Sequence, residues 1–398
     1  MSYTLSTDQA DALRQIGAWY RSKSTPFLTL GGYAGTGKST LIAYLRQALH
    51  QLDPEARVAF CAYTGKASRV LQERLKDQKV PHRSDSVSTI HSLIYTSKDT
   101  QGSNPIWVLK ESLDRNLIIV DEASMVDEQI WKDLLSFDIP ILAVGDHGQL
   151  PPVGSSFNLM KKPQIRLERI WRQAEDSAII EVATKARETG QIPIGQFGEG
   201  VRKLDKAEVE TGQIVQEILE SWKPELLLLC GYNATRSKLN QAIRGYRDYE
   251  SLDPQVGDRV VCLRNNRTKK IFNGMLGDIK SIIRDGNDPL KLWYEVEIAL
   301  DGEDYPYSGY ILREQFNNPE TIKEIPLGPD GERGDLWDFG YALTVHKAQG
   351  SQSESVLVFE EKFAKSSEED WKRWLYTAVT RATTNLTIVG PDPEKSSD

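Results

Sequence analysis

The stretch "LTLGGYAGTGKSTLI" (residues 28–42) constrains the fold of this chain more than any other feature. It contains a loop of the form G-x-x-x-x-G-K-S, from Gly32 to Ser39, between an apolar run and an amphipathic run. Such a loop turns from a buried strand into a helix, and its backbone N–H groups cradle phosphates. The sequence therefore predicts an α/β fold that binds a nucleoside triphosphate with Mg²⁺, although enzymes of many kinds share this loop.

The residue types within the loop predict separate roles. Small residues, glycine above all, let the backbone N–H groups approach the β-phosphate. Lys38 is expected to reach the β- and γ-phosphates, and the Ser39 hydroxyl is expected to bind Mg²⁺. The predicted nucleotide-binding set of the loop is Ala34, Gly35, Thr36, Gly37, Lys38, Ser39 and Thr40.

Two further strand ends carry polar residues. Asp121 ends the apolar run of "LIIVDEAS" (117–124), where it can hold Mg²⁺, and Glu122 follows as a candidate general base for an attacking water. The alternative is an acidic helix cap. A base for water favours a hydrolase over a kinase. In "ILAVGDHGQLPPVG" (141–154), Gln149 is a candidate sensor of the γ-phosphate, and the alternative is a plain turn.

The totals set limits on the fold and the partners. A chain of 398 residues has room for two or three domains. The net charge of −8 argues weakly against a nucleic-acid partner, although a local basic track would suffice. Candidate tracks are "KKPQIRLERIWRQ" (161–173) and "RNNRTKK" (264–270), and either could equally be a solvated surface.

Neither a membrane span nor a secretory signal is predicted. No apolar run approaches the roughly 20 residues that cross a bilayer, and the first residues lack a basic region followed by an apolar one. The three cysteines are widely spaced in apolar stretches without a metal pattern, so we expect buried, reduced thiols of a cytosolic protein. They are Cys61, Cys230 and Cys262.

Apolar runs alternate with helical patterns in two separate sets. The first set predicts buried parallel strands at 26–32, 57–64, 116–123 and 139–146, and the second set at 225–233, 341–347, 355–361 and 385–390. The pattern predicts two doubly wound α/β cores. In "SSEEDWKRWLYTAVTRA" (366–382), a Ser cap and an acidic first turn predict a helix whose aromatic stripe packs in the core.

Two segments interrupt the cores. Residues 251–336 contain short strands broken by Gly, Asn and Asp, a pattern typical of a small β-barrel. Residues 92–112 predict two strands around a Gly-Ser-Asn turn. Gln9, near the start of the chain, has two interpretations: "STDQ" fits a capping box with Ser6 as the N-cap, or the Gln9 amide reads adenine.

The ordered motifs together resemble those of a superfamily 1 helicase, most strongly the 5′→3′ branch with Dda-like and RecD-like enzymes. They cover nearly the whole chain and form a far more specific set than the loop alone. Without a long N-terminal extension, the chain looks most like the compact phage type. The motifs are "LSTDQADAL", "GYAGTGKST", "AYTGKAS", "STIHSLI", "VDEASMVD", "VGDHGQLPPV", "LERIWRQ", "GYNATR", "YALTVHKAQGSQ" and "YTAVTRA".

The resemblance implies a domain plan. It assigns 1–88 and 113–158 to a RecA-like core 1A, and 159–250 and 337–398 to a RecA-like core 2A. It makes 89–112 a β-hairpin pin (1B) and 251–336 an SH3-like barrel (2B). The expected pin turn lacks an aromatic residue, since Tyr95 and Trp107 lie on its flanking strands. The pin would therefore separate the DNA strands by steric exclusion rather than by stacking on the last base pair.

The resemblance also implies site residues. Gln9 would read adenine, Arg172 and Arg381 would contact the γ-phosphate of an ATP held between the cores, and Gly350 and Gln352 would lie near the nucleotide. Gln352 replaces the glutamate common at that place. Single-stranded DNA would contact polar groups on both cores, namely Thr64, Lys66, Thr89, His91 and Pro152 on the first and Asn233, Thr344, His346 and Lys347 on the second.

The expected function is an ATP-dependent 5′→3′ DNA helicase that uses Mg²⁺, with polarity given by the resemblance alone. Single-stranded and forked DNA would be its substrates, and single-strand-binding or replication proteins its candidate partners. We expect a cytoplasmic monomer from a bacterial or phage-infected cell. The alternatives are a translocase that displaces proteins or drives a larger complex, and a P-loop kinase or nucleotide sensor.

Overall fold

The computed structural model describes residues 5–78, 80, 82–100, 103–151, 157–169, 177–249, 251–266, 268–284, 291–329, 331 and 334–395, without the side chains of Lys66 and residues 97–107. Two compact units make up the chain. Unit 1 consists of Met1–Thr96, Val108–Arg187 and Gln349–Ser351. Unit 2 consists of Ser97–Trp107, Glu188–Ala348 and Gln352–Asp398.

Unit 1 is built on a six-stranded sheet in the order β3-β2-β6-β7-β1-β8. All neighbours in this sheet are parallel. Its strands are β1 (Phe27–Gly32), β2 (Val58–Ala62), β3 (Ser86–Thr89), β6 (Leu117–Asp121), β7 (Ile141–Gly145) and β8 (Ile165–Leu167). Its helices are α1 (Thr7–Ser22), α2 (Lys38–Leu52), α3 (Gly65–Asp77), α4 (Ile90–Ile94), α5 (Glu128–Leu135) and α6 (Ala178–Thr189).

The central strands of unit 1 are apolar because helices cover both faces of a parallel sheet. Every residue of β2, β6 and β7 is buried. The four strands predicted from apolar runs in this part of the sequence are all present. The edge strands β3 and β8 were not predicted, since runs of four and three residues carry too little pattern.

Strand β8 corrects the predicted end of the first core. Ile165 pairs in parallel with Leu30 of β1, so the first core extends past residue 158, and unit 1 continues to Arg187. Ile165 and Leu167 are buried while Arg166 between them is exposed. Part of the candidate basic track at 161–173 is therefore an edge strand of the sheet.

Unit 2 contains a second six-stranded sheet in the order β17-β11-β18-β19-β10-β9. Its neighbours are parallel except for β9, which is antiparallel to β10. The strands are β9 (Gly195–Gly198), β10 (Val201–Asp205), β11 (Leu226–Cys230), β17 (Ala342–Thr344), β18 (Ser353–Phe359) and β19 (Ala382–Gly390). The helices are α7 (Val209–Glu220), α8 (Asn233–Tyr246) and α9 (Glu368–Val379).

Helix α9 confirms its prediction in detail. Ser367 is the N-cap, its hydroxyl accepts from the Asp370 N–H, and the first turn is acidic. Trp371, Leu375 and Val379 are buried, as the aromatic stripe predicted. The four strands predicted for this core are also present as β11, β17, β18 and β19.

Unit 2 also holds a five-stranded antiparallel sheet in the order β15-β14-β13-β12-β16. The strands are β12 (Arg259–Cys262), β13 (Leu276–Arg284), β14 (Trp293–Leu300), β15 (Pro306–Leu312) and β16 (Trp337–Phe339). Strand β16 lies past residue 336, so this sheet ends slightly later than the predicted insertion. Its description as an SH3-like barrel stays a prediction.

The segment expected to form a pin contains a two-stranded sheet of β4 (Tyr95–Thr100) and β5 (Ser103–Leu109). Residues 101–102, where the expected turn begins, lie outside the described residues. Its role as a pin is likewise untested.

The three cysteines are free and buried, as expected. Burial raises the pKa of each thiol, to about 12 for Cys230. In the part of the chain that the structure describes, no helix is long and apolar enough to span a membrane.

A buried ion pair ties α2 to the segment before β3. The Arg46 guanidinium on α2 contacts the Asp85 carboxylate at 2.9 Å, and both side chains are inaccessible. Asp85 also accepts the N–H groups of His82 at 2.9 Å and Val58 at 3.1 Å. The carboxylate thus holds four donors from three segments of unit 1.

We predict that Asp85→Ala lowers the free energy of unfolding by about 3–5 kcal/mol, because the Arg46 charge stays buried without its partner. Asp114→Ala is the matched control, since Asp114 pairs with Arg57 on the surface and should cost about 0–1 kcal/mol. Urea titration of both variants checks the difference. Equal losses would show that the Arg46–Asp85 pair does not organise the core.

Candidate functional site

The phosphate-binding loop lies between β1 and α2, as its sequence predicts. Gly35 and Gly37 have φ values of 78° and 79°, in the region where side chains are strained. Gly37 is the N-cap of α2, which begins at Lys38, so the positive end of this helix opens on the loop. The loop is therefore built to accept an anion.

Lys38 is held inside the loop. Its Nζ donates to the carbonyl oxygens of Gly32 at 2.6 Å and Tyr33 at 2.9 Å. A Cβ at Gly32 would lie 2.6 Å from the Thr36 Oγ1 and 3.2 Å from the Lys38 Cγ, so only glycine fits there. The two hydrogen bonds hold the Lys38 ammonium within the loop, beside the start of α2.

Asp121 and Glu122 stand at the end of β6. Asp121 is buried, and its Oδ1 accepts the Glu122 N–H at 3.0 Å. Burial, followed by the charge of Glu122, raises the pKa of Asp121 to about 6. Glu122 has a φ of 52°, a strained conformation of the kind found at functional sites. Its Oε2 is buried without a hydrogen-bond partner among the described residues.

The loop after β7 supplies the third polar group. The buried Asp146 accepts the Gly148 N–H at 2.9 Å, and the Gln149 Nε2 lies 3.5 Å from its other oxygen. The Oε1 of Gln149 is buried and has no partner in the part of the chain described. Gln349 donates to the Leu150 carbonyl at 2.7 Å and so holds the end of this loop.

These groups fit Mg²⁺ and a triphosphate. The buried carboxylate of Asp121 and the Ser39 hydroxyl at the start of α2 are hard oxygen donors, which Mg²⁺ prefers. Mg²⁺ usually takes only one or two protein ligands beside phosphate oxygens.

Gln9 combines a capping box with a contact to the loop. Its Oε1 accepts the Ser6 N–H at 3.0 Å, and its N–H donates to the Ser6 hydroxyl at 3.3 Å. Its Nε2 donates to the Thr36 carbonyl at 3.0 Å. Capping is thus present, and the same amide supports the phosphate-binding loop. The adenine role stays a prediction.

Four residues that pack around the phosphate-binding loop were not predicted from the sequence: Tyr33, His147, Arg187 and Arg74. The Tyr33 ring lies 4.2 Å from the His147 ring, and the Arg187 guanidinium lies 4.1 Å from the Tyr33 ring centre. The loop is therefore packed against both the segment after β7 and the last residue of unit 1. Arg74 on α3 reaches the Ser39 Oγ at 3.4 Å. No spacing signal links these residues, because their proximity depends on the tertiary fold.

The remaining predicted nucleotide residues lie apart from the loop in the sequence. Gly350 belongs to unit 1 and has a φ of 70°, and a Cβ there would lie 2.5 Å from the Met125 Sδ. Gln352 belongs to unit 2 and is partly exposed. Arg381 is buried in unit 2, where its Nε donates to the Thr377 carbonyl at 3.0 Å. Arg172 falls outside the described residues.

The predicted DNA residues of unit 1 lie where adjacent strands end. Thr64 lies two residues after β2, and Thr89 is the last residue of β3, where it pairs with Ala62 of β2. Both threonines are helix N-caps: Thr64 accepts the Ala67 N–H at 3.2 Å and Thr89 the Ser92 N–H at 3.1 Å.

His91, by contrast, is only 5% exposed and packs against the rings of Tyr63 and Tyr95. This is the position of a core histidine, whereas the resemblance implies a DNA contact. The side chain of Lys66 and all of Pro152 lie outside the described residues.

The predicted DNA residues of unit 2 also gather at strand ends. Thr344 ends β17 and is buried, and His346 and Lys347 follow it half-buried. Burial lowers the pKa of His346. Burial, and then the charge of Arg236, lower the pKa of Lys347 to about 8. Asn233 begins α8 and is exposed.

The second candidate basic track is partly used within unit 2. Lys269 pairs with Asp335 at 3.0 Å and is 12% exposed. Arg264 donates to the Lys323 carbonyl at 3.3 Å. These cations serve the antiparallel sheet, and Arg267 lies outside the described residues.

Fold and site together define a P-loop nucleotide-binding protein with RecA-like α/β cores. Residues 4–209 match the family model of an AAA domain, which is more than half of the chain. Residues 339–389 match the model of the UvrD-like helicase C-terminal domain. The second match covers β17, β18, α9 and β19 of unit 2.

Similar proteins refine this class. The chain is 30% identical over 418 residues to the ATP-dependent DNA helicase dda of Enterobacteria phage T4, covering 89% of this chain and 92% of that protein. It is 30% identical over 402 residues to the ATP-dependent RecD2 DNA helicase of Deinococcus radiodurans, covering 95% of this chain. The chain spans about half of that longer relative, 48% of its length.

A solved structure agrees at the level of the fold. The chain aligns with a structure of two coordinating Pif1 helicases at forked double-stranded DNA with a TM-score of 0.50 and 16% identity, covering 97% of this chain and 92% of that one.

The family model and the 30% identical relatives show the family. The chain belongs to the Dda-like and RecD-like branch of superfamily 1 helicases.

The raised pKa of Asp121 predicts a cost in stability at neutral pH. Its charged form is disfavoured when folded, so the folded state loses stability as pH rises from about 4, the ordinary pKa of an aspartate, to about 6. Asp121→Asn should raise the free energy of unfolding at pH 7 by up to about 3 kcal/mol, and the gain should shrink towards pH 4. Urea titration across this range is the measurement. Asp11→Asn, on the surface beside Arg14, is the control. A destabilised Asp121→Asn at pH 7 would contradict this account.

Proposed function

We propose that this protein is an ATP-dependent DNA helicase that moves 5′→3′ on single-stranded DNA and separates duplex strands. The observation that carries the proposal is the unpaired, buried Oε2 of Glu122, one residue after the Asp121 carboxylate. A strained glutamate with a partnerless oxygen suits a base for water, which a kinase does not need. Family membership supplies the link from hydrolysis to DNA.

In this proposal, residues of unit 1 carry out the hydrolysis. Lys38 leaves the Gly32 and Tyr33 carbonyls to bind the β- and γ-phosphates, and Gln149 donates its amide N–H to the γ-phosphate. Glu122 takes a proton from the attacking water. Ser39 and Asp121 would hold Mg²⁺, which neutralises charge on the phosphates when bound.

Other residues are proposed from the family motifs. Gln9 reads adenine, Gly350 and Gln352 line the nucleotide, and Arg172 and Arg381 stabilise charge that develops on the γ-phosphate. The Arg381 Nε donates to the Thr377 carbonyl at 3.0 Å, which holds the buried guanidinium in a defined position. Arginines in this role contribute about 10³–10⁵ in rate.

DNA is proposed to follow the strand ends of both units. Thr64, Thr89, Thr344 and His346 offer hydroxyl and imidazole groups that bind phosphate without reading sequence. Lys66, His91, Pro152, Asn233 and Lys347 complete the proposed contacts. The β4–β5 hairpin would act as a steric pin, and the five-stranded antiparallel sheet would be the SH3-like domain of this branch.

The direct test is the rate of ATP hydrolysis with and without single-stranded DNA, in the presence of Mg²⁺. We expect DNA to stimulate hydrolysis severalfold or more. A protein whose hydrolysis ignores DNA would be a nucleotide sensor or another P-loop enzyme. If DNA stimulates hydrolysis but a forked duplex is not unwound, the protein is a translocase.

Two substitutions separate binding from turnover. Lys38→Ala should abolish hydrolysis, because the loop loses the cation that contacts phosphate. Glu122→Gln should retain ATP affinity and lose turnover by roughly 10²-fold or more, since the base is removed while the fold is kept. Nucleotide-binding titrations and steady-state hydrolysis measure both. Hydrolysis by Glu122→Gln at the rate of the unmodified protein would reassign the base.

A net charge of −8 predicts that DNA affinity depends little on salt. If polar groups hold most phosphates, log K for single strands should fall with log[salt] with a slope of about 2–3, or roughly three or four cationic contacts. Thr64→Ala and His346→Ala should weaken both affinity and DNA stimulation. A salt titration measures both quantities.

Thr64→Ser is the matched control, because it keeps the helix cap and the hydroxyl of Thr64. A slope several units steeper would indicate an extended basic track instead. Unchanged affinity in both alanine variants would remove these residues from the DNA path.

A further inference from the structure

Tyr232 presents an exposed aromatic ring at the end of β11 in unit 2. The residue is 42% exposed, although rings of this size usually bury most of their surface. It directly precedes α8, whose first residue, Asn233, is also exposed. Tyr232 lies in the motif "GYNATR", from which only Asn233 was predicted to contact DNA.

The ring is fixed in place. Its centroid lies 5.0 Å from that of Phe363 in an edge-on arrangement with an interplanar angle of 77°. Its hydroxyl donates to the Lys362 carbonyl at 3.1 Å. A ring held at both ends loses little conformational entropy when a ligand packs on it, so the exposed surface is preorganised.

The charge around the ring disfavours a phosphate. The N-terminus of a helix normally attracts anions, but the Glu361 carboxylate already occupies this one. Its Oε2 accepts the N–H groups of Gly231 at 2.8 Å and Tyr232 at 2.9 Å, and its other oxygen accepts the Thr235 hydroxyl. A second anion would meet that negative charge. The exposed groups that remain at this end of α8 are the Tyr232 ring and the neutral Asn233 amide.

The ring lies among the proposed DNA residues of the same unit. Strands β17, β11 and β18 are adjacent and parallel, and their carboxyl ends carry His346, Tyr232 and Phe363 respectively. The Phe363 ring lies 6.4 Å from the His346 ring and 5.0 Å from the Tyr232 ring. Phe363 therefore lies near both Tyr232 and His346, and His346 is on the proposed path of the single-stranded DNA.

We propose that Tyr232 is a stacking platform for one base of single-stranded DNA, with the Asn233 amide beside it to bond the base edge. The inference rests on the proposed function, and it adds a contact to a base rather than to phosphate at this point. Stacking on an aromatic ring tolerates any sequence, because every base has a π-face. Glu361 keeps phosphates away from the helix end and so fixes which part of the nucleotide binds there.

The test is the affinity of two strands of equal length, oligothymidylate and a strand made only of abasic sites. Tyr232→Ala should weaken oligothymidylate binding about tenfold. It should leave the abasic strand unaffected, and the salt slope should stay the same because no phosphate contact is lost. Tyr232→Phe should bind nearly as tightly as the unmodified protein. Tyr246→Ala is the matched control, since Tyr246 is 43% exposed at the opposite end of α8.

Tyr232→Leu guards against a folding defect, because it keeps apolar volume against Phe363 and removes the π-face. It should lose affinity for oligothymidylate while its thermal unfolding stays unchanged. The proposal is overturned if Tyr232→Leu binds oligothymidylate normally, or if both strands are weakened equally. Those outcomes would not contradict the proposed helicase activity. If the unmodified protein binds neither strand, the proposed function is contradicted as well.

Discussion

The parallel pairing of β7 with both β1 and β6 is the constraint on which the rest of unit 1 depends. Gly31 of β1 lies opposite Gly145 of β7, and Val120 of β6 lies opposite Ala143. This register brings the carboxyl ends of three strands to one edge of the sheet, where the phosphate-binding loop, Asp121 and the loop of Gln149 follow. Chemistry at that edge is thus set by backbone hydrogen bonds far from any ligand.

The site is kept at a cost in stability. Asp121 is a buried carboxylate whose pKa is raised to about 6, and Glu122 adopts a left-handed backbone conformation beside it. Both features oppose folding, so the apolar strands beneath them must hold the site in place. An unpaired oxygen, a strained backbone and a raised pKa at one point are typical of a site shaped for a ligand rather than for stability alone.

The sequence predicted the central strands and the loop because these signals are local. Apolar runs as long as β2 or β18 and the spacing from Gly32 to Lys38 need no knowledge of the fold. Strand β8 and strand β16 were missed because three residues carry no period. The packing of Tyr33 on His147 and Arg187, and of Arg74 on Ser39, depends on segments far apart in the chain. His91 shows that a motif alone does not fix the surroundings of a residue. Its motif implies a DNA contact, while its surroundings are those of a core residue.

Unwinding of tailed duplexes tests whether this protein is a 5′→3′ DNA helicase. A duplex with a 5′ single-stranded tail and one with a 3′ tail of equal length are each mixed with the protein, Mg²⁺ and ATP. The account predicts strand separation of the 5′-tailed duplex, none with Glu122→Gln, and little or none of the 3′-tailed duplex. Unwinding from the 3′ tail alone would contradict the proposed polarity, and failure on both substrates would contradict the assignment as a helicase.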